Sequence, residues 1–213
     1  MAKVKSGFGL GLSGTIGGVV YTQQPDGSTT VSSIAVPSKK PKTDSQKSTK
    51  QDTALCSKFF KHIQFFIKVG FALETKPNLN ANNIATSYFR ANAITGKYPN
   101  RKIDYSKVLL SRGKMALPEN AAVAETDQGF LFTWNTDTLD FSTHYTDQVM
   151  VMAYFTELET ARFSTGGAQR YKGAHLLELP GIERGNTAEI YISFIESEHR
   201  SVSNSVYLGQ LNW

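Results

Sequence analysis

The chain has 213 residues, 40% of them hydrophobic and 19% charged, with a net charge of +5. That length holds one or two domains, and no apolar run approaches the roughly 20 residues of a membrane-crossing helix, so no membrane span is expected. A lone cysteine, Cys56, excludes an internal disulfide and, within a helical pattern, reads as a small core hydrophobe.

In chain order, residues 1–41 alternate and turn. Thr15 to Thr22 and Ser28 to Val36 are β-branched runs on either side of Gln24-Pro25-Asp26-Gly27, which predicts a hairpin. Ahead of it runs a stretch from Phe8 to Tyr21 with five glycines, a poor helix and a poor signal-peptide core. The expected location is therefore cytoplasmic or within an assembled particle.

Residues 42–100 read as a helical hairpin. Pro41 to Asp44 supply a stop and a cap, and Leu55, Phe59, Ile63, Phe66, Ile67, Gly70 and Phe71 recur at three- and four-residue spacing as one stripe. Pro77-Asn78 ends the first helix, and Ile84, Ala85, Tyr88, Phe89, Asn92 and Ala93 give the second its buried face.

From residue 101 onward the pattern is β. Runs at Ile103–Leu110, Ala121–Glu125, Gly129–Trp134, Gln148–Phe155, Ala161–Ser164, His175–Leu179, Ala188–Ile195 and Ser205–Leu211 are separated by turn signals. Seven or eight short strands in such a span predict an Ig-like β-sandwich, of the fibronectin type III kind because no cysteine pair is present. Trp134, Val149, Val151, Leu177, Ile190, Ile192 and Val206 are the expected core, with one sheet face packed and the other partly exposed. The predicted fold class is α+β, in three segments: residues 1–41, 42–100 and 101–213.

Charge is unevenly spread. Residues 1–62 hold nine lysines and three aspartates, whereas residues 63–213 hold fourteen basic and fifteen acidic side chains. Lys39, Lys40, Lys42, Lys47 and Lys50 are thus candidates for polyanion or nucleic-acid contact. Against that reading, no arginine occurs before Arg90, and arginine is the usual partner for bidentate phosphate contact.

Motifs of catalysis are missing. Gly9-x-Gly11-x-x-Gly14 has the spacing of a dinucleotide loop, but the residues after it read as strand and no βαβ unit follows, so no nucleotide cofactor is expected. His62, His144, His175 and His199 lack partners at metal-ligand spacing, so neither a metal nor a catalytic residue is assigned. The acids Asp137, Asp140, Glu157, Glu159, Glu183, Glu196 and Glu198 fall near turns of the expected sandwich, where solvation is the default.

Several stretches together carry a resemblance. They are Ser13-Gly14-x-Ile16-Gly17-x-Val19-Val20, Pro41-Lys42-Thr43 before Gln46, Asn92-Ala93-Ile94-Thr95-Gly96-x-Tyr98-Pro99, Ile103-Asp104-Tyr105-Ser106-Lys107-Val108-Leu109, and Ser203-Asn204-Ser205-Val206-Tyr207-Leu208-Gly209. Over nearly its whole length the chain resembles a family widespread in Bacteroidota that has no assigned function. Its relatives usually follow the glycine-rich stretch with a Trp-Lys-Gly turn and an arginine-rich strand, where this chain has Gln23 to Gly27.

The sequence leads to two function classes. In the first, the protein is a non-enzymatic assembly component, a homo-oligomer or part of a protein assembly, with Phe8, Leu10, Leu12, Ile16, Val19 and Tyr21 as contact residues of an N-terminal arm. The alternative is polyanion binding through the lysines. A weaker third reading places a sugar on exposed Trp213, Tyr145, Tyr171 and Tyr207.

Overall fold

Pro25-Asp26-Gly27 makes the predicted turn, and the strands on either side of it pair at the centre of a small sheet. The computed structural model describes residues 2–7, 9–37, 40–137 and 143–213, and the chain divides into two units, residues 1–43 with 76–80 and residues 44–75 with 81–213.

In the first unit, β3 (Val19–Gln23) and β4 (Thr29–Ser33) form the hairpin. Two more strands join it in the antiparallel order β1-β4-β3-β2: β1 (Ala2–Val4), which the sequence pattern does not predict, on β4, and β2 (Gly14–Ile16) on β3. The run Thr15 to Thr22, expected as one strand, instead turns back on itself at Gly17 and Gly18, whose positive φ of 56° and 83° suits glycine, and so supplies both β2 and β3. β1 is three residues long, too short for alternation to register. Asp26 ties the unit together. Its carboxylate accepts hydrogen bonds from Lys3 Nζ at 2.7 Å, Asn78 Nδ2 at 2.9 Å and both the amide and hydroxyl of Ser28. The Lys3 ammonium, followed by Ser28 and Asn78, holds this carboxyl well below the usual carboxylate range. What it contributes to stability is therefore present above the unfolded value of about 4 and is lost as pH falls through the folded one. Asp26→Ala is expected to speed amide exchange at Val4 and Val31, with the amides of Gln148–Phe155 and Thr187–Ile195 unchanged; equal exchange at Val4 in the two proteins would refute the tie.

The second unit begins with helices. The expected single stripe is cut in two: α1 (Asp44–Phe60) stops, Lys61 to Ile63 turn, and α2 (Gln64–Gly70) resumes before a 3-10 turn at Ala72–Glu74 and α3 (Ala81–Asn92). Ile63 donates its amide to Phe60 O and accepts from Ile67, so the backbone tightens for one step and restarts. The apolar stripe survives the break, since Phe59, Ile63, Phe66, Ile67 and Phe71 are all fully buried. Asn92, expected on the buried face of α3, is instead exposed and donates to Tyr88 O.

After the helices, β5 (Ile94–Thr95) pairs with β6 (Lys102–Ile103). The rest of the predicted strand to Leu110 is not a strand. Ser106 Oγ and Lys107 Nζ both reach the Asp104 carboxylate, and that local bonding turns Tyr105–Lys107 into a 3-10 helix. Seven strands follow: β7 (Ala122–Glu125), β8 (Gly129–Thr133), β9 (Gln148–Phe155), β10 (Thr160–Ser164), β11 (Ala174–Glu178), β12 (Thr187–Ile195) and β13 (Val206–Asn212). They build a three-stranded sheet, β11-β8-β7, and a four-stranded sheet, β10-β9-β12-β13.

The chain is thus mixed α+β with antiparallel sheets. Between the two sheets lies a core of Phe130, Phe132, Val149, Val151, Ile190, Ile192 and their neighbours. The opposite side chains of β9 and β12, among them Met150, Met152, Tyr154, Tyr191 and Ile195, pack under the helices in a second core with Phe59, Phe66 and Phe89. Expecting one partly exposed face was wrong: β9 and β12 are buried on both sides after their first residue, as the unbroken apolar run Val149–Phe155 implies. Of the predicted core residues, Val206 alone is half-buried.

Candidate docking surface

Alternation along the first unit's strands sorts its side chains. The registers place Ala2, Val4, Ile16, Val19, Tyr21 and Val31 on one face, with Gly14, Gln23, Thr29 and Ser33, and Lys3, Thr15, Val20, Thr22, Thr30 and Ser32 on the other. The first face therefore holds nearly all of the sheet's apolar side chains, and the second is mainly hydroxyl-bearing.

The glycine-rich segment crosses the apolar face. Gly9, with φ +97°, lies near the Tyr21 ring, and the Gly11 amide, at φ +79°, donates to Thr29 Oγ1 at 3.0 Å. Left-handed backbone at both positions explains the glycine spacing without a ligand. Gly14 opens strand β2 rather than a helix, so no helix N-terminus stands at the end of the loop to meet a pyrophosphate.

Coverage by the loop is partial. Thr29 and Ser28 are buried, yet no hydrophobic side chain of this unit's described residues is. Ile16 is 59% exposed, Leu10 45% and Ile34 50%. Of the predicted contact residues, Ile16, Val19 and Tyr21 share the apolar face, Leu10 and Leu12 sit in the crossing loop, and Phe8 lies outside the described residues. Val4 and Val31 belong to the same face and were missed. The signal for Val31 was present, a valine among alternating hydroxyl residues; Val4 sits on a strand too short to show one.

The lysines do not gather on one element. Lys39 lies outside the described residues, Lys40 and Lys42 are exposed in the first unit, and Lys47 and Lys50 are exposed on α1 in the second. Lys47 pairs with Asp44 at 3.0 Å, and that carboxylate raises its pKa.

Elsewhere the candidate groups are satisfied in place. The Cys56 thiol is pushed up by burial and sits 3.6 Å from Thr86 Oγ1 on the wall of a cleft of about 300 Å³. His175 accepts the Ala168 amide on Nδ1, and burial lowers its pKa. Trp213 is buried, not exposed, with its indole N–H donated to Ile182 O, which removes it from a sugar-stacking surface. Tyr207 is half-buried and donates to Glu189, whereas Tyr145 and Tyr171 remain exposed. Among the described residues, no three His, Cys, Asp or Glu side chains are grouped as metal ligands would be, and no helix is long and apolar enough to cross a membrane.

A family model described as a family of unknown function, DUF6266, matches residues 11–209. The chain belongs to this family. In this DUF6266 member, the match takes in strands β2 to β4, all three helices and the whole of the two sheets up to Gly209. No curated protein and no solved structure matches the chain.

Proposed function

We propose that this DUF6266 protein is a non-enzymatic assembly protein that docks through its N-terminal sheet. The observation carrying the reading is a four-stranded sheet with one apolar face and no buried hydrophobic side chain among its described residues. Small sheets draw their stability from a covered apolar face. Exposed apolar positions gathered on one sheet face are what a protein contact surface offers. The test is amide exchange at Tyr21 and Val31 over a range of protein concentrations. Protection is expected to rise with concentration in the wild type and to stay flat in Ile16→Asp; flat protection in both, with a monomeric wild type, would overturn self-association.

The larger unit serves as the rigid body in this reading, and we take its sheets to be of the fibronectin type III kind. In support, its seven strands divide as first, second and fifth against fourth, third, sixth and seventh. This differs from the constant immunoglobulin order only in that the fourth strand pairs with the third instead of the fifth.

Polyanion binding is the second reading, favoured by the lysine excess of the first unit. It predicts affinity for duplex DNA that falls steeply with salt.

A further inference from the structure

The net charge of the protein resides in the docking unit. Residues 1–43 with 76–80 carry six lysines and one aspartate, a net +5, while the remaining residues carry seventeen basic and seventeen acidic side chains. Two such sheets facing each other would set +5 against +5, which disfavours a symmetric pairing of docking faces. The complementary surface lies on the other unit. Register puts the β7–β8 turn beside the end of β11 in one sheet, with Glu125 across from Phe130 and Glu178 from Gly129, and the β9–β10 turn beside the start of β12 in the other, with Phe155 across from Thr160 and Ala188. The rings of Phe130 and Phe155, 6.4 Å apart, bring these two ends together. That end carries Glu125, Asp127, Glu157, Glu159, Glu178 and Glu183, with Lys58, Arg162 and Arg184 beside them. Arg184 holds Glu125 and Asp127, and Lys58 holds Glu159. Glu157, Glu178 and Glu183 are exposed and make no ion pair among the described residues. Leu158, 45% exposed, stands between two of the end's carboxylates as an apolar contact point.

Resting on the docking role of the N-terminal sheet, we propose that its occupant is a second copy of this chain. The apolar face of one copy, on a unit of net charge +5, seats on the acidic end of the next copy's sheet pair. Such a contact is heterologous, because each copy presents both a face and an end, so assembly proceeds head to tail into rings or filaments. Attraction between a basic sheet and an acidic end weakens with screening, so assembly should diminish between about 0.05 M and about 0.5 M salt.

The test uses two full-length variants, each blocked at one side. Ile16→Asp spoils the face and leaves the acidic end, while Glu157→Lys with Glu183→Lys spoils the end and leaves the face; all three positions are exposed. Leu10→Asp stands in for Ile16→Asp if the latter disturbs the sheet by circular dichroism. In sedimentation velocity, the wild type is expected to form concentration-dependent species beyond the dimer, each variant alone to remain monomeric, and an equimolar mixture to give a one-to-one dimer and nothing larger. Should the variant with the altered end assemble like the wild type while Ile16→Asp does not, the occupant is wrong and the docking face stands. A mixture that stays monomeric while the wild type assembles also overturns the head-to-tail contact. A wild type that is monomeric at every concentration, whether or not it retards a duplex DNA, overturns both this inference and self-association through the sheet.

Discussion

An Arg170→Met variant is expected to lose about 3–5 kcal/mol of stability, the usual cost of stripping one partner from a buried ion pair. Asp147 is completely buried, and its carboxylate receives Arg170 Nε at 3.3 Å and the His144 amide at 2.9 Å on the same oxygen. Its other oxygen, Oδ1, is buried without a hydrogen-bond partner. Burial opposes both charges, raising the Asp147 carboxyl and lowering the Arg170 guanidinium. Methionine keeps much of the contact with Phe194, whose ring lies 3.8 Å from the guanidinium carbon, so the loss reports the stranded carboxylate more than a cavity. The sign of the pH effect follows. A carboxyl whose folded pKa is raised contributes stability that is complete below its unfolded pKa, about 4, and lost as pH rises through the folded value. The variant should therefore recover stability in mild acid, and adding Asp147→Asn should recover it at neutral pH. Urea midpoints at acidic and neutral pH measure this, and a single variant within about 0.5 kcal/mol of the wild type at neutral pH would refute it.

Phe59→Ala is expected to cost a similar amount, about 3–5 kcal/mol, through loss of burial and the cavity left behind. Phe59 is fully buried at the meeting of helix and sheet, with ring centroids 4.7 Å from Tyr154 on β9, 5.5 Å from Phe89 on α3 and 5.9 Å from Tyr105. Phe65→Ala provides the contrast. That ring is 58% exposed and stacks only on Phe163, at 6.5 Å, so its removal should cost under about 1 kcal/mol. Equal denaturation midpoints for the two variants would mean that the helices are not anchored on the four-stranded sheet through Phe59.

Some of this was legible in the sequence and some was not, for physical reasons. Gln148–Phe155 was read with both ends correct, since eight residues rich in valine, methionine and aromatics between turn signals leave few alternatives. The hairpin at Pro25-Asp26-Gly27 was equally plain, because its turn residues dictate the backbone. Less legible was what lies over each element. Tyr191, Ser193 and Ile195 look like a half-wet face, and only the helices packed against them make that face dry. Asp147, Arg170 and Glu189 escaped notice as buried polar residues because periodicity marks apolar side chains and is silent on a charge that finds its partner 23 or 18 residues away, as with Arg170 and Tyr207. The docking face was half legible: the residues of β3 and the glycine loop stood out, whereas the apolar side of β1 became visible only through its pairing with β4.

The double burial of β9 and β12 alters what keeps these strands in step. In a sheet with one wet face, a slip of one residue turns apolar side chains to water, and hydrophobicity itself enforces alignment. Here a slip exchanges one dry core for another, so that safeguard is largely absent. Alignment falls instead to size and to a few polar groups. Along β9, Met150, Met152 and Tyr154 fill the space under the helices, and smaller Val149, Val151 and Ala153 fit between the sheets before Phe155 ends the strand. Glu189, 1% exposed, is the strictest reader of position: on the helix side it meets Tyr207 Oη at 2.6 Å and Gln210 Nε2 at 2.7 Å. One step out of place, its carboxylate would enter the apolar layer between the sheets with neither donor, so a single buried acid acts as a frame marker for the central strand pair.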